Sequence, residues 1–170
     1  MAERIKIRSR LLPGDLGRIV SQHGELYARE YGLDAAFEGS VASTVGAAAE
    51  AGFPREREGV WIVERDYSFA GSIALTADGD TGILRWFLLD PRVRGRGLGR
   101  RLVGEVVAAG REHGLERVKL MTFSELHAAG HLYREAGFEL QREDPAPRWG
   151  RDLLTLQYYE LSLGSVAGAR

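Results

Sequence analysis

The sequence predicts a mixed α/β domain in which a mostly antiparallel sheet is flanked by helices, in the order β-α-α-β-β-β-α-β-α-β-β. Three observations carry this prediction. Apolar residues recur at helical spacing on both sides of a central stretch that reads as strand. Within that stretch three strand-like runs follow one another across short turns, which dictates an antiparallel meander. The last of these strands ends at Asp90-Pro91 and passes through a glycine- and arginine-rich loop into a helix. The 170 residues suit one domain able to bury ~70% of its extended-chain surface. We place that domain at residues 1–163 and read 164–170, small and polar, as a tail.

Each element has its own local reason. Ile5 and Ile7 mark a short first strand, and Pro13-Gly14-Asp15 supplies a turn and a helix cap. Leu16, Ile19, Val20, His23 and Tyr27 then share one helical face. A second helix is predicted over Ala35–Ala51, where Phe37, Val41, Val45, Ala48 and Ala49 line up before the stop at Gly52-Phe53-Pro54. The meander occupies Val60–Glu64, Ala70–Ala77 and Ile83–Leu89, with turns at Asp66-Tyr67-Ser68 and Asp78-Gly79-Asp80. Leu98, Leu102, Val103, Val106 and Val107 define a third helix ending near Gly114, and Val118–Thr122 is a short apolar strand. Glu125–Ala136 reads as a helix stopped by Gly137, and Phe138–Arg142 with Leu153–Leu163 closes the fold as a hairpin.

Composition excludes several classes of function. There is no cysteine, which removes disulfide scaffolds, thiolate zinc sites, iron–sulfur clusters and cysteine nucleophiles. Apolar runs fall far short of the ~20 residues of a membrane span, and the charged Met1–Arg10 segment is unlike a signal peptide, so a cytoplasmic location is expected. A net charge of −1 provides no overall basic field for nucleic acid or an acidic membrane. Yet 21 of the 23 basic residues are arginine, and Arg92, Arg94, Arg96, Arg100 and Arg101 crowd into ten positions without a carboxylate, which points to an anionic ligand.

That ligand belongs at Arg94-Gly95-Arg96-Gly97-Leu98-Gly99, where a strand end meets a helix start. Unpaired N–H groups and about half a positive charge gather at a helix N-terminus, and glycines let a phosphate approach the backbone. The loop lacks the Gly-Lys-Ser/Thr of a P-loop. Its G-x-G-x-G spacing also departs from the dinucleotide fingerprint. His127 and His131 stand four apart, the spacing of a metal pair, but no third ligand is in sight, and no metal is expected.

Arg94, Gly97 and Gly99 match the R/Q-x-x-G-x-G/A signature of the GCN5-related N-acetyltransferase (GNAT) superfamily, which the chain resembles up to about Leu163. A second match is Leu132-Tyr133-Arg134-Glu135-Ala136-Gly137-Phe138, with the L-Y-x-x-x-G-F form found on the helix after the fifth strand of that family. One helix, one strand and part of a helix separate the motifs, as the family requires. A narrower likeness, over residues 23–38, is to the acetyltransferase half of bacterial regulators that carry an upstream MarR-type winged helix. No winged helix precedes it here, so a freestanding enzyme is expected.

The resemblance implies that acetyl-CoA lies in a splay between the Ile83–Leu89 and Val118–Thr122 strands. Backbone groups near Phe87 and Leu89 would pair with the pantetheine arm. N–H groups from Arg94, Gly95, Arg96, Gly97, Leu98, Gly99 and Arg100 would hold the pyrophosphate. The acceptor would be a primary amine of a small molecule, amino acid or peptide attacking the thioester directly, with Tyr133 returning a proton to the CoA thiolate. Alternatively, Tyr133 is a core tyrosine packed under Phe138. Leu126 stands where many members have an asparagine, and the Ile83–Leu89 strand carries no carboxylate. Base candidates are therefore Glu30, Glu38 or water relays, and Tyr27, Tyr31, Trp86 and Trp149 are candidate acceptor contacts, with core packing the alternative for these aromatics. Transfer of a longer acyl group, or a non-catalytic CoA sensor, fits the same loop. The family also allows a homodimer.

Overall fold

A computed structural model describes residues 3–164. The elements are β1 (Ile5–Arg8), α1 (Asp15–Tyr31), α2 (Ala35–Glu50), β2 (Gly59–Arg65), β3 (Ser68–Asp78), β4 (Thr81–Leu89), a 3₁₀ turn (Pro91–Val93), α3 (Leu98–Glu112), β5 (Arg117–Phe123), α4 (His127–Glu135), β6 (Glu139–Arg148) and β7 (Arg151–Ser162). This is the expected order. Of the expected tail, residues 165–170 lie outside the described residues.

The strands form one seven-stranded sheet, in the order β1-β2-β3-β4-β5-β7-β6. Every neighbouring pair is antiparallel except β4 with β5. Alternation along the strands sends side chains to opposite faces, and the core divides accordingly. Trp61, Val63, Ile73 and Leu75 pack with Leu102, Val103 and Val106 of α3. Val60, Ile62 and Ala74 pack with Ile19 of α1 and Phe37, Val41 and Val45 of α2. Among the described residues no helix is long and apolar enough to cross a membrane.

Two local expectations need correction and one is made specific. Within Pro13-Gly14-Asp15 it is Gly14 (φ 89°) that occupies the cap position of α1. The Asp15 carboxylate, 2% exposed, turns back to accept from the Leu12 N–H at 2.6 Å and from Arg8 at 2.7 and 2.9 Å. Helix α4 begins at His127 rather than Glu125. The closing hairpin is longer than predicted, because Pro145 and Pro147 lie inside β6. Proline removes a ladder donor, and β6 tolerates two because it is an edge strand paired only with β7.

The parallel β4/β5 pair is short. Pairing runs only through Thr81–Arg117, Gly82–Val118 and Ile83–Lys119, after which the strands part. A bulge in β4 accompanies the divergence: register jumps between Ala74–Arg85 and Ser72–Leu88. Trp86 sits at this bulge with φ 49°, a backbone conformation a tryptophan rarely adopts. The Ser72 hydroxyl secures it by donating to the Trp86 carbonyl at 2.7 Å. The strands thus leave a slot through the sheet.

Candidate active site

Two cavities meet at this slot. The larger, about 420 Å³, runs from Tyr27, Glu30 and Tyr31 of α1 past Leu89 and the Arg94–Gly99 loop to Leu132 of α4. That volume lies within the ~300–1,000 Å³ of ordinary ligand sites. The smaller, about 180 Å³, is walled by His23, Phe37, Arg85, Trp86, Phe123 and Tyr133. Tyr27, Phe87, Leu126 and Ala129 line both.

The signature loop presents backbone rather than charge. Gly97 caps α3 at φ 74° and contributes no side-chain cap, so the first N–H groups of the helix have no capping partner there. A Cβ at Gly95 (φ 72°) or Gly97 would meet nothing within 4 Å, so both border open space. Gly99 has another role: a Cβ there would fall 2.7 Å from Leu132 Cδ1, so this glycine lets α3 pack closely on α4. These features fit an approaching diphosphate.

The arginines differ from expectation. Each of the five meets a carboxylate: Arg92 with Asp90, Arg94 with Glu30, Arg96 with Glu3, Arg100 with Glu135 and Arg101 with Glu105. The cluster without acids in the sequence is therefore compensated in space. Glu30, Glu3 and Glu135 come from distant segments. Arg94 is also anchored by its Nε, which donates to the Leu89 carbonyl at 2.9 Å. That bond occupies one acceptor position of a carbonyl expected to pair with a ligand.

Neither candidate base lines the smaller cavity. Glu30 is held by Arg94 at the rim of the larger cleft. Glu38 is an exposed residue of α2 whose carboxylate lies over Gly24 of α1, where a Cβ would come within 2.4 Å of its Oε2. Tyr31 lines the larger cleft, packed edge-on against Phe123 at 5.2 Å. Trp86 lines the smaller cavity, its indole N–H donating to Thr44 Oγ1 at 3.0 Å. His127 and His131 are exposed, and no group of three metal-type ligands occurs among the described residues.

Tyr133 reaches the smaller cavity from the α3/α4 side of the sheet, whereas His23 and Phe37 approach from the α1/α2 side. Only the missing β4/β5 pairing lets the two faces share a cavity. The Tyr133 ring packs against Phe87, Phe138 and Tyr159 at centroid distances of 6.2, 6.0 and 6.1 Å. It is thus both a core residue and a cavity wall. Burial pushes its pKa up, as it does for Tyr27, so both phenols keep their protons at neutral pH.

His23 is a cavity residue that sequence reasoning read only as part of a packing face. Its Nδ1 lies 2.7 Å from the Ile19 carbonyl, which can only accept, so Nδ1 carries the proton and Nε2 a lone pair. Burial lowers the pKa to about 4, and the ring is neutral at pH 7. It stacks on Tyr27 with centroids 5.6 Å apart. A polar residue on an otherwise apolar helix stripe was the available signal.

Comparison with known proteins identifies the family and the fold. Residues 21–138 match the model of the acetyltransferase (GNAT) family, and the chain belongs to that family. Its fold is shared with an acetyltransferase of the GNAT family from Streptococcus pneumoniae, at a TM-score of 0.71 and 17% identity over 95% of this chain and 100% of the other. It is also similar to yncA of Salmonella typhimurium, solved with its cofactor acetyl-CoA (TM-score 0.70, 19% identity, 98% of both chains). A third likeness is to the ribosomal-protein-S18-alanine N-acetyltransferase of Escherichia coli (TM-score 0.70, 21% identity, 98% of both chains).

Proposed function

We propose that this protein is an acetyl-CoA-dependent N-acetyltransferase that acetylates a primary amine by direct attack in a ternary complex. The observation that carries the reading is the slot between β4 and β5. It joins a cleft bordered by the signature loop to a separate aromatic cavity containing Tyr133. Acetyl-CoA supplies an activated thioester. The remaining work belongs to the chain.

The N–H groups at the start of α3 hold the pyrophosphate, and the β4 edge around Phe87 and Leu89 orients the pantetheine arm. The thioester reaches the junction of the cavities, beside Leu126 and Ala129. Tyr27 and Trp86 wall the acceptor, while the His23 Nε2 lone pair accepts a hydrogen bond from the attacking amine. As the nitrogen bonds to the carbonyl carbon and the C–S bond breaks, Tyr133, protonated at neutral pH, gives its hydroxyl proton to the departing sulfur. The proton shed by the nitrogen passes through water to restore the phenol. The acid is thus on one face of the sheet and the amine's hydrogen-bond acceptor on the other.

Calorimetric titration with acetyl-CoA, followed by CoA-thiol release across a panel of amines, tests the reading. Micromolar binding with turnover on at least one amine is expected. Absence of binding refutes the CoA site, and tight binding without turnover on any amine assigns the protein as a sensor instead.

A further inference from the structure

The smaller cavity has one charged residue in its wall, Arg85, and among the described residues it has no ionic partner. Arg85 projects from β4 on the α1/α2 face of the sheet, beside Thr76, whose Oγ1 accepts from its Nε at 3.0 Å. Its two terminal amino groups make no hydrogen bond among the described residues, and no described carboxylate pairs with it. The side chain is half-buried, and burial lowers its pKa. This setting differs from that of the five loop arginines, which are exposed and each matched to a carboxylate.

A guanidinium withdrawn from water without a counter-charge is unfavourable, and its planar fork matches a carboxylate through two parallel bonds. The rest of the wall is largely aromatic and aliphatic, with His23 neutral. At about 180 Å³ the cavity is below the usual range for drug-sized ligands, so the occupant is small.

We propose that the amine acceptor is itself a carboxylate, a free amino acid with an apolar or aromatic side chain, and that Arg85 receives its carboxylate while the amino group faces the thioester. This rests on the acetyltransferase reading above and adds the substrate class. The two ends of the acceptor are then fixed at once. The Arg85 end selects the molecule, the slot end presents its nitrogen, and the aromatic wall takes the side chain.

The test compares matched acceptors: L-phenylalanine with phenethylamine, and L-leucine with isoamylamine, by CoA-thiol release. Wild type is expected to prefer the carboxylate-bearing member of at least one pair by ~100-fold or more in kcat/KM, in line with charge-assisted bidentate recognition. In Arg85→Gln that preference should fall to within about threefold, with acetyl-CoA affinity retained in calorimetry. Equal or better use of the decarboxylated amines by wild type, or a preference surviving in Arg85→Gln, overturns the proposal while leaving the acetyltransferase reading intact.

If acetyl-CoA binds but neither pair turns over, titration of the CoA-loaded protein with N-acetyl-L-phenylalanine against N-acetylphenethylamine reads the same preference. Equal affinity then counts against the proposal. Failure to bind acetyl-CoA removes the reading on which it rests. A stability measurement needs no substrate: Arg85→Met should leave the melting temperature of the free protein unchanged or raise it, because an unpaired guanidinium kept for a ligand does not stabilise the fold. A fall of more than ~4 °C would make Arg85 a structural strut and reject the assignment.

Discussion

Arg94 and Glu30 meet through two bonds of 2.8 and 3.1 Å, although 64 positions separate them in sequence. The pair ties the signature loop to α1 at the larger cleft, and it engages Glu30, one of the two carboxylate candidates for the base.

Glu30→Gln should therefore leave catalysis nearly intact. The pair is solvent-exposed, and such pairs are worth ~0.2–1 kcal/mol, so the variant should change stability little. We expect kcat/KM for the acceptor to stay within about threefold of wild type, with the same pH profile. Glu38→Gln should behave alike. Loss of the ionising limb of the profile in either variant would restore that carboxylate as the base.

Gly97→Val should weaken acetyl-CoA by at least tenfold, a loss of ~1.4 kcal/mol. The new side chain enters the open space that the pyrophosphate needs. At φ 74° it also strains the backbone by ~1–2 kcal/mol, so a lower melting temperature is expected in parallel. Calorimetry on folded protein decides, and unchanged affinity would remove the phosphate from this loop.

Tyr133→Phe deletes a hydroxyl and keeps the ring that packs on Phe87, Phe138 and Tyr159. The fold should survive. We expect kcat to fall ~10–10³-fold with acetyl-CoA affinity unchanged, because the proton matters as charge develops on sulfur. Pre-steady-state kinetics ensure that chemistry, not product release, is being read. A wild-type chemical step would transfer the role to another donor.

His23 gives the protein an acid-sensitive core. Its pKa is about 4 when folded and ~6.5 when unfolded, so the unfolded chain binds the extra proton between these values. The stabilisation is complete above pH ~6.5, declines as pH falls, and is exhausted near pH 4. The shift is worth about 3 kcal/mol. Urea unfolding should show this slope in wild type, and His23→Leu should flatten it. An unchanged slope in the variant would place the titration elsewhere.

Much of this protein is readable from the order of its residues, because the relevant physics is local. The amphipathic stripes of α1, α2 and α3, the turns of the meander, and the strand–loop–helix step at Arg94–Gly99 each depend on neighbours within a few positions. The two motifs that name the family are likewise contiguous. What the tertiary structure decided are relations between distant segments. It neutralised the arginine cluster with Glu30, Glu3 and Glu135, and it admitted Pro145 and Pro147 to a strand by setting that strand at the sheet edge. It brought Tyr133, His23 and Arg85 to one cavity through a gap in strand pairing that no local pattern encodes. Charge compensation and cavity formation depend on three-dimensional proximity, and a one-dimensional pattern carries no distance between residues that only folding brings together.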